Sequence, residues 1–225
     1  MIHRSCSGFR LWERFAVLRA NVHTEIDPTN VSVWNWLFGS TNDISDSRGE
    51  PSNERGFRDA GTGDFLSFWD LRNKAIWLSA ALARSRSLHA HQTVAIISSN
   101  SIWYPLAMLS ANRLGAVVTT LPNEAKAEDL AYFFRASNAT IVYANLATLD
   151  EAHKACKMVG LADDRIILLE GSRQGYTNIQ DLVDYGRSLD SIGGVQEWEP
   201  TKGASPSCAF LSFTSGTTGR PKAVG

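Results

Sequence analysis

The spacing of apolar side chains changes along the chain, and each spacing predicts an element. A short apolar helix is expected at Val33 to Phe38, followed by an exposed loop from Asn42 to Arg55, where Ser, Asp, Asn, Gly and Glu dominate. Phe57 to Ala60 and Phe65 to Phe68 flank Gly61-Thr62-Gly63, which predicts a β-hairpin with a glycine turn. Phe68, Leu71, Ala75, Leu78 and Leu82 then recur at spacings of three and four, the period of an α-helix. Ser67 is placed to cap its first turn, and its end is expected near Ser87.

From Thr93 the rhythm changes again. Thr93 to Ile97 is a continuous apolar run of strand length, and Asn100 stands where a cap would open a helix running through Leu114. Strands at Ala116 to Thr119, Thr140 to Ala144 and Arg165 to Leu169 alternate with helices near Ala127 to Ala136, Leu146 to Met158 and Ile179 to Arg187. Strands apolar on both faces and separated by helices predict an α/β fold, a mostly parallel sheet flanked by helices. Ser191 to Ser207 reads as a loose connection, and the segment from Cys208 as a strand followed by a loop.

Composition narrows the function classes. With 225 residues and 44% hydrophobic content the chain can bury a full core. Its 22 basic and 23 acidic side chains leave a net charge of −1, which gives nucleic acid and anionic membranes no electrostatic attraction, so any anion must be gripped locally. Cys6, Cys156 and Cys208 form no Cys-x-x-Cys pair and are odd in number, which argues against a disulfide framework or structural zinc. No apolar run approaches the ~18 residues of a membrane span. A cytoplasmic protein is expected, with peroxisome and mitochondrion as alternatives. The mitochondrial alternative comes from Arg4, Arg10, Arg14 and Arg19, accompanied only by Glu13; residues 1–30 are read instead as a solvated tail.

The segment that carries chemistry runs from Cys208 to Lys222. Thr214, Ser215, Thr217 and Thr218 are interleaved with Gly216 and Gly219, and Lys222 follows Pro221. Glycines let backbone N–H groups converge on an anion where a Cβ would intrude, hydroxyls add donors, and the lysine adds charge. Each hydrogen bond to a charged oxygen contributes about 1.5–3 kcal/mol, so several acting together suit a polyphosphate. Two other motifs are excluded by spacing. A Walker loop requires Gly-Lys-Ser/Thr, whereas Lys222 lies between Pro221 and Ala223; a nucleophile elbow requires Gly-x-Ser-x-Gly, whereas Ser215 has Phe213 and Thr217 at those positions.

At these residues Thr214 to Lys222 resembles the Ser/Thr-Ser-Gly-Thr-Thr-Gly-x-Pro-Lys signature of the adenylate-forming (AMP-dependent synthetase/ligase) superfamily, with Ala223 where glycine is usual. Thr93 to Asn100, Ala107 and Leu114 to Val118 are similar to that superfamily's first strand–helix–strand unit, and Phe65 to Leu71 to the hairpin and helix start before it. Asn100 to Pro105 resembles the acyl-CoA synthetase and 4-coumarate–CoA ligase branch; Pro122-Asn123 inverts the common Asn-Pro order. On this resemblance residues 31–225 would be a partial AMP-binding (adenylation) domain, ending just after the phosphate loop.

The resemblance implies an ATP-dependent acid–thiol ligase. A small-molecule carboxylic acid would attack the α-phosphorus of Mg2+-bound ATP, giving an acyl-adenylate and pyrophosphate, and coenzyme A would then displace AMP. Thr214, Ser215, Thr217 and Thr218 would donate hydroxyls to the leaving phosphates, Gly216 and Gly219 would admit the backbone, and Lys222 would offset charge. These roles are positional and electrostatic, and no residue is assigned a covalent or acid–base part. The resemblance also implies that the adenine and acyl pocket, the Thr-Glu magnesium motif, the ribose-binding Asp and the C-terminal lid lie beyond Gly225. The chain is therefore expected to be a fragment, inactive in ATP–pyrophosphate exchange on its own and with an unpartnered final sheet edge. The alternative is a non-catalytic nucleotide-binding or interaction module.

Plainer readings fit the remaining features. His89 and His91 lack further ligands and read as surface loop residues. Trp69, Trp77 and Trp103 fall in helical patterns and read as core or core-edge packing. Glu124 with Glu128 and Asp129, and the pair Asp163-Asp164, read as solvated element boundaries.

Overall fold

The computed structural model describes residues 31–38, 55–189, 208–214 and 220–225. The apolar run Thr93–Ile97 forms strand β3 and lies at the centre of a seven-stranded sheet, buried along its whole length. Its side chains alternate between two apolar layers. Val94 and Ile96 face one, Ala95 and Ile97 the other. The same division splits Ile141 and Tyr143 from Val142 and Ala144 on β5 (Ala139–Ala144), and Ile167 from Ile166 and Leu168 on β6 (Ile166–Leu168). Strands buried on both faces need helices on both sides, and they have them.

On one face lie α1 (Val33–Phe38), α2 (Phe68–Arg86), α3 (Tyr104–Arg113) and α6 (Ile179–Leu189); on the other lie α4 (Ala127–Ser137) and α5 (Leu149–Val159). The sheet order is β7-β6-β5-β3-β4-β8-β9, with β4 at Val117–Leu121, β7 at Thr177–Asn178, β8 at Phe210–Thr214 and β9 at Lys222–Val224. All pairs are parallel except β8 with β9, which is antiparallel. The predicted α/β class with a mostly parallel, helix-flanked sheet holds. The glycine-turn hairpin also forms, as a separate two-stranded sheet of β1 (Gly56–Arg58) and β2 (Phe65–Ser67). Asp59 Oδ1 accepts from Gly61 N and Thr62 N, which fixes its turn.

Several boundaries match the expectation and two starts do not; α5, expected from near Leu146, begins at Leu149. Ser67 caps α2, its Oγ accepting from Asp70 N at 3.0 Å, and Ser87 ends the helix in the left-handed region. The helix expected from Asn100 begins at Tyr104 instead. Pro105 falls in its first turn, where a fixed φ and a missing N–H are tolerated, and Ser101 Oγ accepts from Trp103 N just ahead of it. Strands β7 and β9 were not anticipated. Trp77 and Trp103 pack at the edge of the core, but Trp69 is 47% exposed, because the buried stripe of α2 passes through Leu71, Ala75 and Leu78. The Asn42 to Arg55 loop lies almost wholly outside the described residues, as do residues 1–30 and Ser191 to Ser207.

Two contacts show how closely the first layer is built. Gly186 of α6 lies against α2 where a Cβ would run into the Trp77 carbonyl oxygen. Arg113, buried at the end of α3, donates from Nη1 to Ser79 Oγ at 2.8 Å and stacks over the Trp34 ring. Among the described residues no helix is long and apolar enough to cross a membrane.

Candidate functional site

Strand β8 carries the start of the glycine-rich segment, and its attachment to the sheet is short. Only Val118↔Phe210 and Thr119↔Leu211 are in register with β4. A buried amide reinforces this: Asn112 Nδ2 donates to Ala116 O and to Ala209 O, each at 3.1 Å, and Ala209 O also accepts from Val118 N. Beyond Leu211 the strand leaves β4 and pairs with β9 through Ser212↔Val224, Phe213↔Ala223 and Thr214↔Lys222. The segment read as a phosphate loop is thus the connection of a β-hairpin. Its two ends stand opposite each other, Thr214 on one strand and Lys222 on the next.

Cross-strand partners project to the same face of a sheet, and neighbours along a strand to opposite faces. Phe213 points towards α4, where its ring lies 4.7 Å from that of Phe133. Thr214 and Lys222 therefore share the other face, and both are exposed. Among the described residues Lys222 forms no ion pair. The sequence-derived site residues thus divide: Thr214 and Lys222 are brought together, while Ser215, Gly216, Thr217, Thr218 and Gly219 lie outside the described residues.

The hairpin rises from the carboxyl ends of the parallel strands, the edge at which open α/β sheets bind ligands. Two hollows adjoin it. One, of about 480 Å³, is bounded by Tyr104, Thr120, Pro122, Phe133, Phe213 and Pro221. Burial raises the Tyr104 phenol above its ordinary range, partly offset by a hydrogen bond to Thr120, so it stays neutral at physiological pH. The other, of about 450 Å³, is bounded by Glu124, Glu128, Asp129, Tyr132 and Arg220. Both are of a size that takes a small molecule.

Sequence reasoning missed Tyr104 and Tyr132 as neighbours of the hairpin. Tyr132 Oη donates to Pro221 O at 2.6 Å, and its ring lies beneath the Arg220 guanidinium, 5.1 Å from centroid to Cζ. Both tyrosines sit in helical patterns, and nothing local marks them; only the topology brings α3 and α4 to the hairpin. The described residues hold no group of three or more His, Cys, Asp or Glu side chains placed to bind a metal. His89 and His91 are no exception.

A family model for AMP-binding enzymes matches residues 47–225. The chain belongs to the AMP-binding enzyme family. Among curated relatives of this family member are the acyl-CoA ligase sidI of Beauveria bassiana, 26% identical over 173 residues, and 4-coumarate–CoA ligase 5 of Oryza sativa subsp. japonica, 28% identical over 166. These alignments cover 72% and 74% of the chain, and 28% of each relative. The chain thus spans little more than a quarter of the length of the curated relatives it matches. Solved structures show the same fold. An anthranilate CoA ligase, AuaEII, in complex with anthranoyl-AMP superposes with a TM-score of 0.65 at 19% identity, over 88% of this chain and 35% of that one. Apo MatB from Rhodopseudomonas palustris gives 0.59 at 22% identity, over 86% and 34%.

Proposed function

We propose that this chain is the amino-terminal part of an ATP-dependent acid–thiol ligase that activates a small carboxylic acid as acyl-AMP and passes it to coenzyme A, and that its β8–β9 hairpin holds the β- and γ-phosphates of ATP. One observation carries the reading: Thr214 and Lys222 face each other at the mouth of the hairpin, so a hydroxyl donor and an ammonium group flank one opening. The glycines and hydroxyls at 215–219 are the residue types that wrap phosphate oxygens. The acyl-CoA ligase relatives and the family membership point the same way.

In this reading the chain's residues position and neutralise rather than react. Lys222 and the hairpin hydroxyls hold the triphosphate so that its α-phosphorus faces the acid, and they take up the charge that builds on departing pyrophosphate. The described residues contain no carboxylate cluster for Mg2+. A magnesium ion bound to the triphosphate would be held at least in part by phosphate oxygens and water, its usual mode. A reducing compartment, the cytoplasm before the peroxisome, fits the free thiols Cys156 and Cys208.

Calorimetric titration of the chain with tripolyphosphate and with ATP tests the reading. A lysine–phosphate contact of about 1.5–3 kcal/mol corresponds to about 10- to 150-fold in affinity. Lys222→Ala should weaken both ligands by that factor; equal binding by the variant refutes the assignment.

A further inference from the structure

The hairpin proposed to hold phosphate is glycine-rich, and an unrestrained loop of that kind would lose much conformational freedom each time a ligand ordered it. One side chain outside the motif reduces that loss. Tyr132, half-buried on α4, reaches across to the hairpin's returning limb with two separate contacts. Its hydroxyl donates to the Pro221 carbonyl at 2.6 Å, and its ring lies under the Arg220 guanidinium at 5.1 Å. We propose that Tyr132 is a positioning residue for phosphate binding, acting by fixing Arg220 and Pro221 and, through them, the placement of Lys222 opposite Thr214. This rests on the reading of the hairpin given above.

The surroundings favour this role over an incidental contact. Glu124, Glu128 and Asp129 line the same hollow as Arg220. A guanidinium there has three carboxylates as nearby competitors, yet among the described residues Arg220 forms no ion pair and caps the ring instead. The platform is itself braced. The neighbouring Phe133 packs on Phe213 of the outgoing limb, and Glu151 of α5 accepts from Ala127 N at the start of α4 at 2.9 Å. Consecutive residues of α4 thus hold both limbs of the hairpin, Phe133 the outgoing and Tyr132 the returning one. Lys222, next after Pro221, is held in place opposite Thr214. A loop already anchored at both ends binds more tightly because less order has to be imposed on it.

The test uses tripolyphosphate as ligand and the whole chain as protein. Tyr132→Phe keeps the ring under Arg220 and removes only the hydroxyl; it should weaken binding about fivefold, the equivalent of one net hydrogen bond. Tyr132→Ala should weaken it about tenfold or more, and combining it with Arg220→Ala should add nothing further through the ring contact. The urea midpoint of Tyr132→Phe should stay close to the unaltered chain's, while amide exchange at Arg220 and Lys222 quickens, a pattern that a purely structural tyrosine would not give. Tyr176→Phe, which loses the hydroxyl that meets His153 Nδ1 far from the hairpin, should bind as the unaltered chain does. If both Tyr132 variants bind like the unaltered chain while Lys222→Ala does not, this inference fails and the phosphate reading stands. If Lys222→Ala binds normally, or the unaltered chain binds no tripolyphosphate, both fall.

Discussion

Asn112 is the side chain whose loss should most directly release β8 from the sheet. Its Nδ2 joins Ala116 O, just before β4, to Ala209 O, just before β8, and the residue is only 4% exposed. Asn112→Leu removes two hydrogen bonds, each with a net value of about 1 kcal/mol. The two acceptors then differ. Ala209 O retains Val118 N as a donor, whereas the Ala116 carbonyl is left without a donor among the described residues and adds an unsatisfied-group cost of about 1–3 kcal/mol. The expected loss is therefore about 3–5 kcal/mol, large for a domain of ordinary stability. Because β8 meets β4 through only two residue pairs, the effect should be concentrated there. Urea unfolding followed by tryptophan fluorescence gives the total, and hydrogen exchange gives its location. Amides 210–214 should lose protection in the variant before those of β3 do. A loss below about 1 kcal/mol, or uniform deprotection of the whole sheet, would show that Asn112 does not hold the strand.

Two further substitutions probe the two helical layers. Gly186→Ala should destabilise the chain, because overpacking against the Trp77 carbonyl, about 1–3 kcal/mol, exceeds the gain of about 1 kcal/mol in helix propensity; a raised urea midpoint would show that α2 and α6 can move apart. Glu151 tests pH dependence. The Lys154 ammonium first, then the Ala127 N–H, hold its carboxylate below the ordinary range. A depressed folded value means that its contribution is complete above the unfolded value and is lost as pH falls through the folded one. The melting temperatures of Glu151→Gln and the unaltered chain should accordingly differ at neutral pH and converge as pH falls below about 4; a constant gap across that range would refute the linkage.

What the sequence disclosed depended on whether the cause was local. The extent of α2, both caps included, follows from a serine at each end and an apolar stripe between them, and β3 follows from five consecutive apolar or β-branched residues. The start of α3 was misplaced because Asn100 is a good capping residue by type, whereas Pro105 and the Ser101–Trp103 turn decide where the first turn closes. β7 is two residues long, and β9 opens with a lysine and is exposed throughout, so neither has a periodicity to detect. At the candidate site, Thr214 and Lys222 were named from the motif, but their direct opposition was not legible. It depends on β8 turning back on itself, and the Tyr132 contact depends on a helix 89 residues away in sequence.

The opposition of Thr214 and Lys222 also has a bearing on tolerance to change. A span whose two feet stand on one rung of a ladder can grow or shrink without shifting the rungs beneath it, so alterations within 215–219 should leave the strand pairing intact. On the proposed reading, whatever constrains the length and make-up of that connection would then come from the phosphate it binds rather than from the strands that carry it.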